Sequence, residues 1–142
     1  MYRVLVPGGY AQLIEIGPEW MSGPKMASVM LFLDDFLGRK GMLFRCSVYI
    51  ADMLKAAGFV DVTCEEVVMN LGKWAGEDGI LARDVKIGAL SGMRDSVMKA
   101  DGSGQFASVK EFDKAVDDLA AEWDSIEGSR TTIRVFCSRK PL

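Results

Sequence analysis

The 142-residue sequence contains no histidine. That absence removes the commonest general base and, with it, every Ser/His or Cys/His nucleophile arrangement, so any catalysis must use other groups. Cysteine is sparse as well. Cys46, Cys64 and Cys137 stand far apart, with no CxxC spacing and no histidine to complete a metal site. This argues against zinc and for three reduced core residues. Positive charge is in short supply, with 17 Lys and Arg against 20 Asp and Glu and a formal net charge of −3. No basic patch or stripe of the kind that neutralises phosphates is present, so nucleic acid is not expected as a partner. Long hydrophobic runs are also missing. The longest largely apolar stretch, Ala27 to Leu33, is far short of the roughly 20 residues needed to span a bilayer, and no signal-peptide pattern opens the sequence. The expectation is a cytoplasmic protein with no membrane contact.

What is present is apolar bulk: 49% of residues are hydrophobic, enough for one core, and a single domain over residues 1–142 is expected. Nine methionines are many for this length. Met21, Met26, Met30, Met42, Met53, Met93 and Met98 fall outside the expected strands, and flexible thioethers either fill irregular core gaps or line adaptable pockets.

Along the chain, Pro7-Gly8-Gly9 reads as a turn feeding a strand from Tyr10 to Ile16, with Leu13 on one face and Gln12, Ile14 and Ile16 on the other. Its nearly continuous apolarity suggests burial on both faces. Met26, Val29, Met30, Leu33 and Leu37 fall at helical spacing, with Gly38 placed to end that helix. Ser47 is a candidate cap for a second helix carrying Ile50, Met53, Leu54 and Ala57, stopped by Gly58 in a left-handed cap. Val60, Val62 and Cys64 then alternate with Asp61, Thr63 and Glu65, as in a strand with one buried face. Leu71 to Gly76 reads as a loop, and Ile80 to Met98 as a helix whose Gly88, Ala89 and Gly92 would admit a close backbone. After a turn at Asp101 to Gly104, Ser108 and Glu111 form a capping box. The helix it opens places Phe112, Ala115, Val116, Leu119, Ala120 and Trp123 on one face. Gly128 closes it, and Thr131 to Cys137 is a last strand.

The opening Arg3-Val4-Leu5-Val6-Pro7-Gly8-Gly9, followed by a strand with Glu15, resembles the fifth-strand motif of class I S-adenosylmethionine methyltransferases. Met53 to Val62 looks like the helix and sixth strand that follow. Leu71-Gly72-Lys73-Trp74 resembles the G-x-W segment of fungal LaeA-like secondary-metabolism methyltransferases, and Arg139-Lys140-Pro141 is similar to their terminus. The resemblance covers nearly the whole chain in the right order. It implies a truncated Rossmann-like α/β fold, an α+β-like remnant: a three-stranded mixed sheet in the family order 5-7-6, the last strand antiparallel between the other two, with about four helices. The family's cofactor-binding strands one to four have no counterpart in these residues, so no cofactor is expected. The Pro7-Gly8-Gly9 turn cannot replace them, because it precedes a strand rather than a helix N-terminus.

Three functions follow as expectations. The first is a cofactor-independent cyclase or isomerase of the pericyclase type, acting on an apolar natural-product intermediate; such a reaction needs an apolar cavity and a polarising donor. By the resemblance, helical insertions would supply Trp20, Met21, Met26, Met30, Trp74, Met93 and Met98 as substrate walls, with Lys73, Arg83 and Tyr49 as donors. Glu15 would orient or deprotonate the substrate. The second is a methyltransferase fragment completed by a cofactor-binding partner, and the third a regulatory docking module. An uncovered apolar edge strand also predicts a homodimer, through the first-strand edge or the sheet face beside it.

Overall fold

The computed structural model describes residues 1–142, side chains included except at Asp101 and Ser103. Three strands, β1 (Tyr10–Met21), β2 (Val60–Asn70) and β3 (Arg130–Arg139), form one sheet in the order β1-β3-β2. This is the order the resemblance implied. Lys140 N donates to Gly9 O, and Arg139 and Arg134 of β3 pair with Asp61 and Glu66 of β2. β3 therefore runs against both neighbours. The two strands of like direction do not touch, so every pair in the sheet is antiparallel. Five helices accompany the sheet: α1 (Pro24–Arg39), α2 (Ile50–Ala56), α3 (Gly76–Gly92), α4 (Arg94–Met98) and α5 (Val109–Ser125).

The chain forms two compact units, one of residues 1–19, 45–68 and 131–142, the other of residues 20–44 and 69–130. In the first, Gly8 at φ +79° donates to Lys140 O while Lys140 donates back to Gly9, a bulge that starts β1 in register. Ala11 and Leu13 of β1 and Phe136 of β3 pack with Ile50 and Leu54 of α2 and with Phe59. Because strand side chains alternate, Gln12, Ile14 and Ile16 point the other way, and Ile14 is 62% exposed. Burial on both faces, suggested by the apolarity of β1, is thus not what forms: α2 packs only on the Leu13 side. The alternation in β2 is real, yet only Val62 and Met69 are half-buried, and Val60 and Cys64 are exposed. Cys64 is therefore not a core residue. Ser47 sits inside a 3-10 turn, Cys46–Val48, rather than capping α2, which opens at Ile50 with no side-chain cap. Gly58 takes the expected left-handed conformation, at φ +92°.

In the second unit, Met26, Val29, Met30, Leu33 and Phe36 of α1 share a core with Phe112, Val116, Leu119 and Trp123 of α5. The stripe on α5 is the one its spacing predicted. Ser108 Oγ accepts from Glu111 N, while Glu111 Oε2 accepts from Ala107 N rather than from Ser108, so the capping box is displaced by one residue. Helix α1 continues through Gly38 to Arg39. The single helix expected over Ile80 to Met98 divides at Met93 into α3 and α4. Gly92, a poor helix former, ends α3. A Cβ at Gly88 or Gly92 would meet nothing within 4 Å, so neither glycine serves a close approach. Trp20 and Met21 end β1 and do not belong to a helical insertion.

Helix α1 has no capping side chain of its own at Gly23. Glu122 of α5 supplies the cap: its carboxylate accepts from Lys25 N at 2.7 Å and from Met26 N at 2.8 Å. A Cβ on Gly23 would lie 2.5 Å from Glu122 Oε2, which explains the glycine. The negative charge also suits the positive end of the helix dipole. Glu122→Gln is expected to lower unfolding stability by about 1 kcal/mol and Glu122→Ala by about 2 kcal/mol, read from urea denaturation. An unchanged midpoint in the alanine variant would refute the capping role.

Candidate functional site

The candidate polar residues of the second unit converge on one carboxylate. Gly72 adopts φ +109°, and a Cβ there would lie 2.0 Å from Trp123 O, so only glycine lets the Lys73–Ala75 turn sit against the end of α5. In that position Lys73 N donates to Asp124 Oδ1 at 3.1 Å, and Lys73 Nζ lies 2.9 Å from Oδ2. Arg83 of α3 pairs with Asp124 Oδ1 and also with Asp84 at 2.8 Å. Trp74 Nε1 donates to Leu71 O at 2.8 Å, closing the turn. Burial alone would raise the Asp124 carboxyl, but hydrogen bonds from Lys73 and Arg83 outweigh it and hold the group below its ordinary value of 3.8. Lys73 and Arg83, candidate donors to a substrate, are thus committed to holding this turn.

The candidate substrate walls have similar fates. Met26, 2% exposed, and Met30 are core residues, and Met93, Met98 and Trp20 pack against the same core. Core filling, the alternative use of a methionine, is what these residues do. Lys86 Nζ stands 5.4 Å from the centre of the Trp20 ring, and burial lowers its pKa. Met21 is exposed, with its sulfur 3.1 Å from Arg130 Nη2.

In the first unit, Glu15 is half-buried on the Leu13 side of β1, beside the Cys46 thiol. Burial, then the Glu15 charge, pushes that thiol above its ordinary value. Tyr49 is exposed. A shallow depression of about 400 Å³ opens between Tyr2, Arg3, Ile50, Met53 and Phe59. Tyr2 meets Phe59 edge-on at 5.0 Å, and Lys140 fixes the Tyr2 segment by donating to Tyr2 O and Leu5 O. None of these residues stood out as site residues in the sequence. The signal was weak: an aromatic following the helix-stopping Gly58.

On the opposite face of the same sheet the side chains of β1 from Tyr10 to Ile16 and Val67 of β2 are exposed. Tyr10, Gln12, Ile14 and Ile16 of β1 share that face with Ile133, Val135 and Cys137 of β3 and with Asp61, Thr63, Glu65 and Val67 of β2, as strand alternation and the Gln12–Cys137 and Arg139–Asp61 contacts require. Tyr10 is 71% exposed and Val67 53%. Ile16, Ile133 and Val67 form an apolar row crossing all three strands, with Ile14 and Val135 beside it. Among the described residues no group of three His, Cys, Asp or Glu is placed to hold a metal, and no helix is long and apolar enough to cross a membrane.

The chain has structural similarity to part of an S-adenosylmethionine-dependent methyltransferase. One matching structure is phosphoethanolamine N-methyltransferase 2 of Haemonchus contortus, solved with phosphomonomethylethanolamine and S-adenosylhomocysteine, at a TM-score of 0.40 and 18% identity. It covers 99% of this chain and 28% of that one. No protein-family model and no curated protein matches the chain.

Asp124→Ala is expected to cost about 2 kcal/mol, because it leaves Lys73 N without its acceptor and Arg83 with Asp84 alone. The pH dependence has a definite sign. With its folded pKa depressed, Asp124 contributes its full stability above 3.8 and loses it as pH falls through the lower folded value, so the difference between wild type and Asp124→Asn should shrink on acidification. Thiol titration offers a separate check: exposed Cys64 should react with a disulfide reagent well before Cys46.

Proposed function

We propose that this chain is a docking module whose open sheet face receives a polypeptide partner. The observation that carries the reading is the apolar group of Ile14, Ile16 and Val67, exposed in register with half-buried Val135 and Ile133. Single exposed apolar side chains are ordinary, whereas a contiguous group of them marks an interaction surface. The commitment of Lys73 and Arg83 to Asp124 supports the same reading, since it leaves the second unit without a free polarising donor among the candidates. The Pro-Gly-Gly strand motif and the Gly72-Lys73-Trp74 segment favour descent from LaeA-like methyltransferases of secondary metabolism.

A second reading is favoured by the depression beside Phe59. Its volume of about 400 Å³ falls in the range of small-molecule sites, its walls are mostly apolar, and Arg3 is a candidate donor in its wall. A cofactor-independent cyclase or isomerase, for example one guiding a Diels–Alder cyclisation of an apolar intermediate, would use such a place. The two readings separate by fluorescence of an anilinonaphthalene dye. Docking expects dye binding that the double variant Ile14→Lys, Val67→Lys abolishes and Met53→Arg leaves intact; the small-molecule reading expects the reverse. A folded chain that binds no dye would count against both.

A further inference from the structure

The two free edges of the sheet differ in charge. β2 carries Asp61, Glu65 and Glu66, and charges of this kind keep an edge strand from adding to another. From Tyr10 to Ile16, β1 carries only Glu15, which lies on the covered side beside Cys46. The bulge at Gly8 fixes which backbone groups are free. Since Lys140 donates to Gly9 O, antiparallel alternation turns the N–H and C=O of Tyr10, Gln12, Ile14 and Ile16 away from β3. No strand stands beside them among the described residues. The next outward position is Pro18, which has no N–H, so the usable edge runs over residues 10–16 and is centred on Leu13.

We infer that a second copy of this chain pairs antiparallel with β1 over that window, joining two three-stranded sheets into one of six strands. The inference rests on the docking reading and names its partner. A two-fold axis at Leu13 sets Gln12 opposite Ile14 of the second copy and Tyr10 opposite Ile16, while Glu15 meets Ala11. No like charges face each other, and each pair joins residues that favour strands or tolerate them. The same operation through β2 would crowd three carboxylates from each copy onto one seam. On the open side, edge pairing would also make one apolar face out of two, because Ile14 and Ile16 of both copies lie on it.

The test is light scattering over a concentration series for wild type, Gln12→Pro and Ile14→Lys, with circular dichroism to verify folding and amide exchange read at residues 12 and 14. Gln12→Pro removes an outward N–H and leaves the ladder to β3 intact; if it does not fold, amide exchange at residues 12 and 14 of wild type carries the comparison, since contact through the face leaves those amides free. The expected result is twice the mass of one chain for wild type and a single-chain mass for both variants. Slow exchange at residues 12 and 14 should appear only in wild type at high concentration. A wild type of single-chain mass at every concentration, with free exchange at both amides, would overturn the inference. So would a doubled mass that both variants preserve. In the first case dye binding at the open face would leave the docking reading standing with a different polypeptide, and its absence would remove that reading too; in the second the contact between copies would lie away from both the β1 edge and Ile14.

Discussion

The carboxylate of Glu122 is the contact on which the unit of residues 20–44 and 69–130 depends. It lies on the same helical face as Leu119 and Trp123, so the residues that bury α5 also carry this charge into the protein. Buried there, it must be paired, and the start of α1 provides two backbone donors that otherwise lack partners. Each helix thereby meets a need of the other. Gly23 leaves the space, Pro24 suits the first helical position, and Met26, Val29 and Met30 follow on the side that α5 covers. Asp124, two residues on, repeats the pattern toward the Lys73 turn with a carboxylate that is less deeply placed. One end of one helix thus fixes two other segments of the chain.

Much of this was legible in the sequence, for identifiable reasons. The stripe from Phe112 to Trp123, the left-handed Gly58 and the three strands were carried by periodicity and turn chemistry, which act locally. The sheet order came from resemblance alone, since nothing in the periodicity of β1 or β3 says which strand stands in the centre. Long-range contacts account for the misses. Nothing in the spacing of its helix marks Glu122, because its partners are more than ninety residues away. Ser47 had the right side chain for a cap but falls inside a 3-10 turn. The apolarity of β1 was read as two-sided burial, although a strand with one open apolar face has the same composition.

The candidate site residues show the same division. Lys73 and Arg83 were named as donors alongside Tyr49, but Asp124, the carboxylate on which the two converge, has no mark in the sequence. The methionines split between core filling at Met26 and Met30 and exposure at Met21 and Met53, a difference set by the helix face or strand end on which each falls. What remains unengaged is the surface of the sheet, which carries apolar side chains and free backbone groups together.

The position of β3 has a consequence for how the chain comes into being. The strand that joins β1 to β2 is the last of the three to be synthesised, and the bulge that sets its register links Gly8 to Lys140 across almost the entire sequence. Until residues 130–139 have been made, β1 and β2 lack the strand that lies between them. The helices α1 and α5, with their mutual cap, can meet earlier. Sheet assembly must then close a loop of more than a hundred residues, the kind of step that makes folding slow. During that interval the uncharged edge of β1 is the stretch of nascent chain most in need of protection from premature pairing.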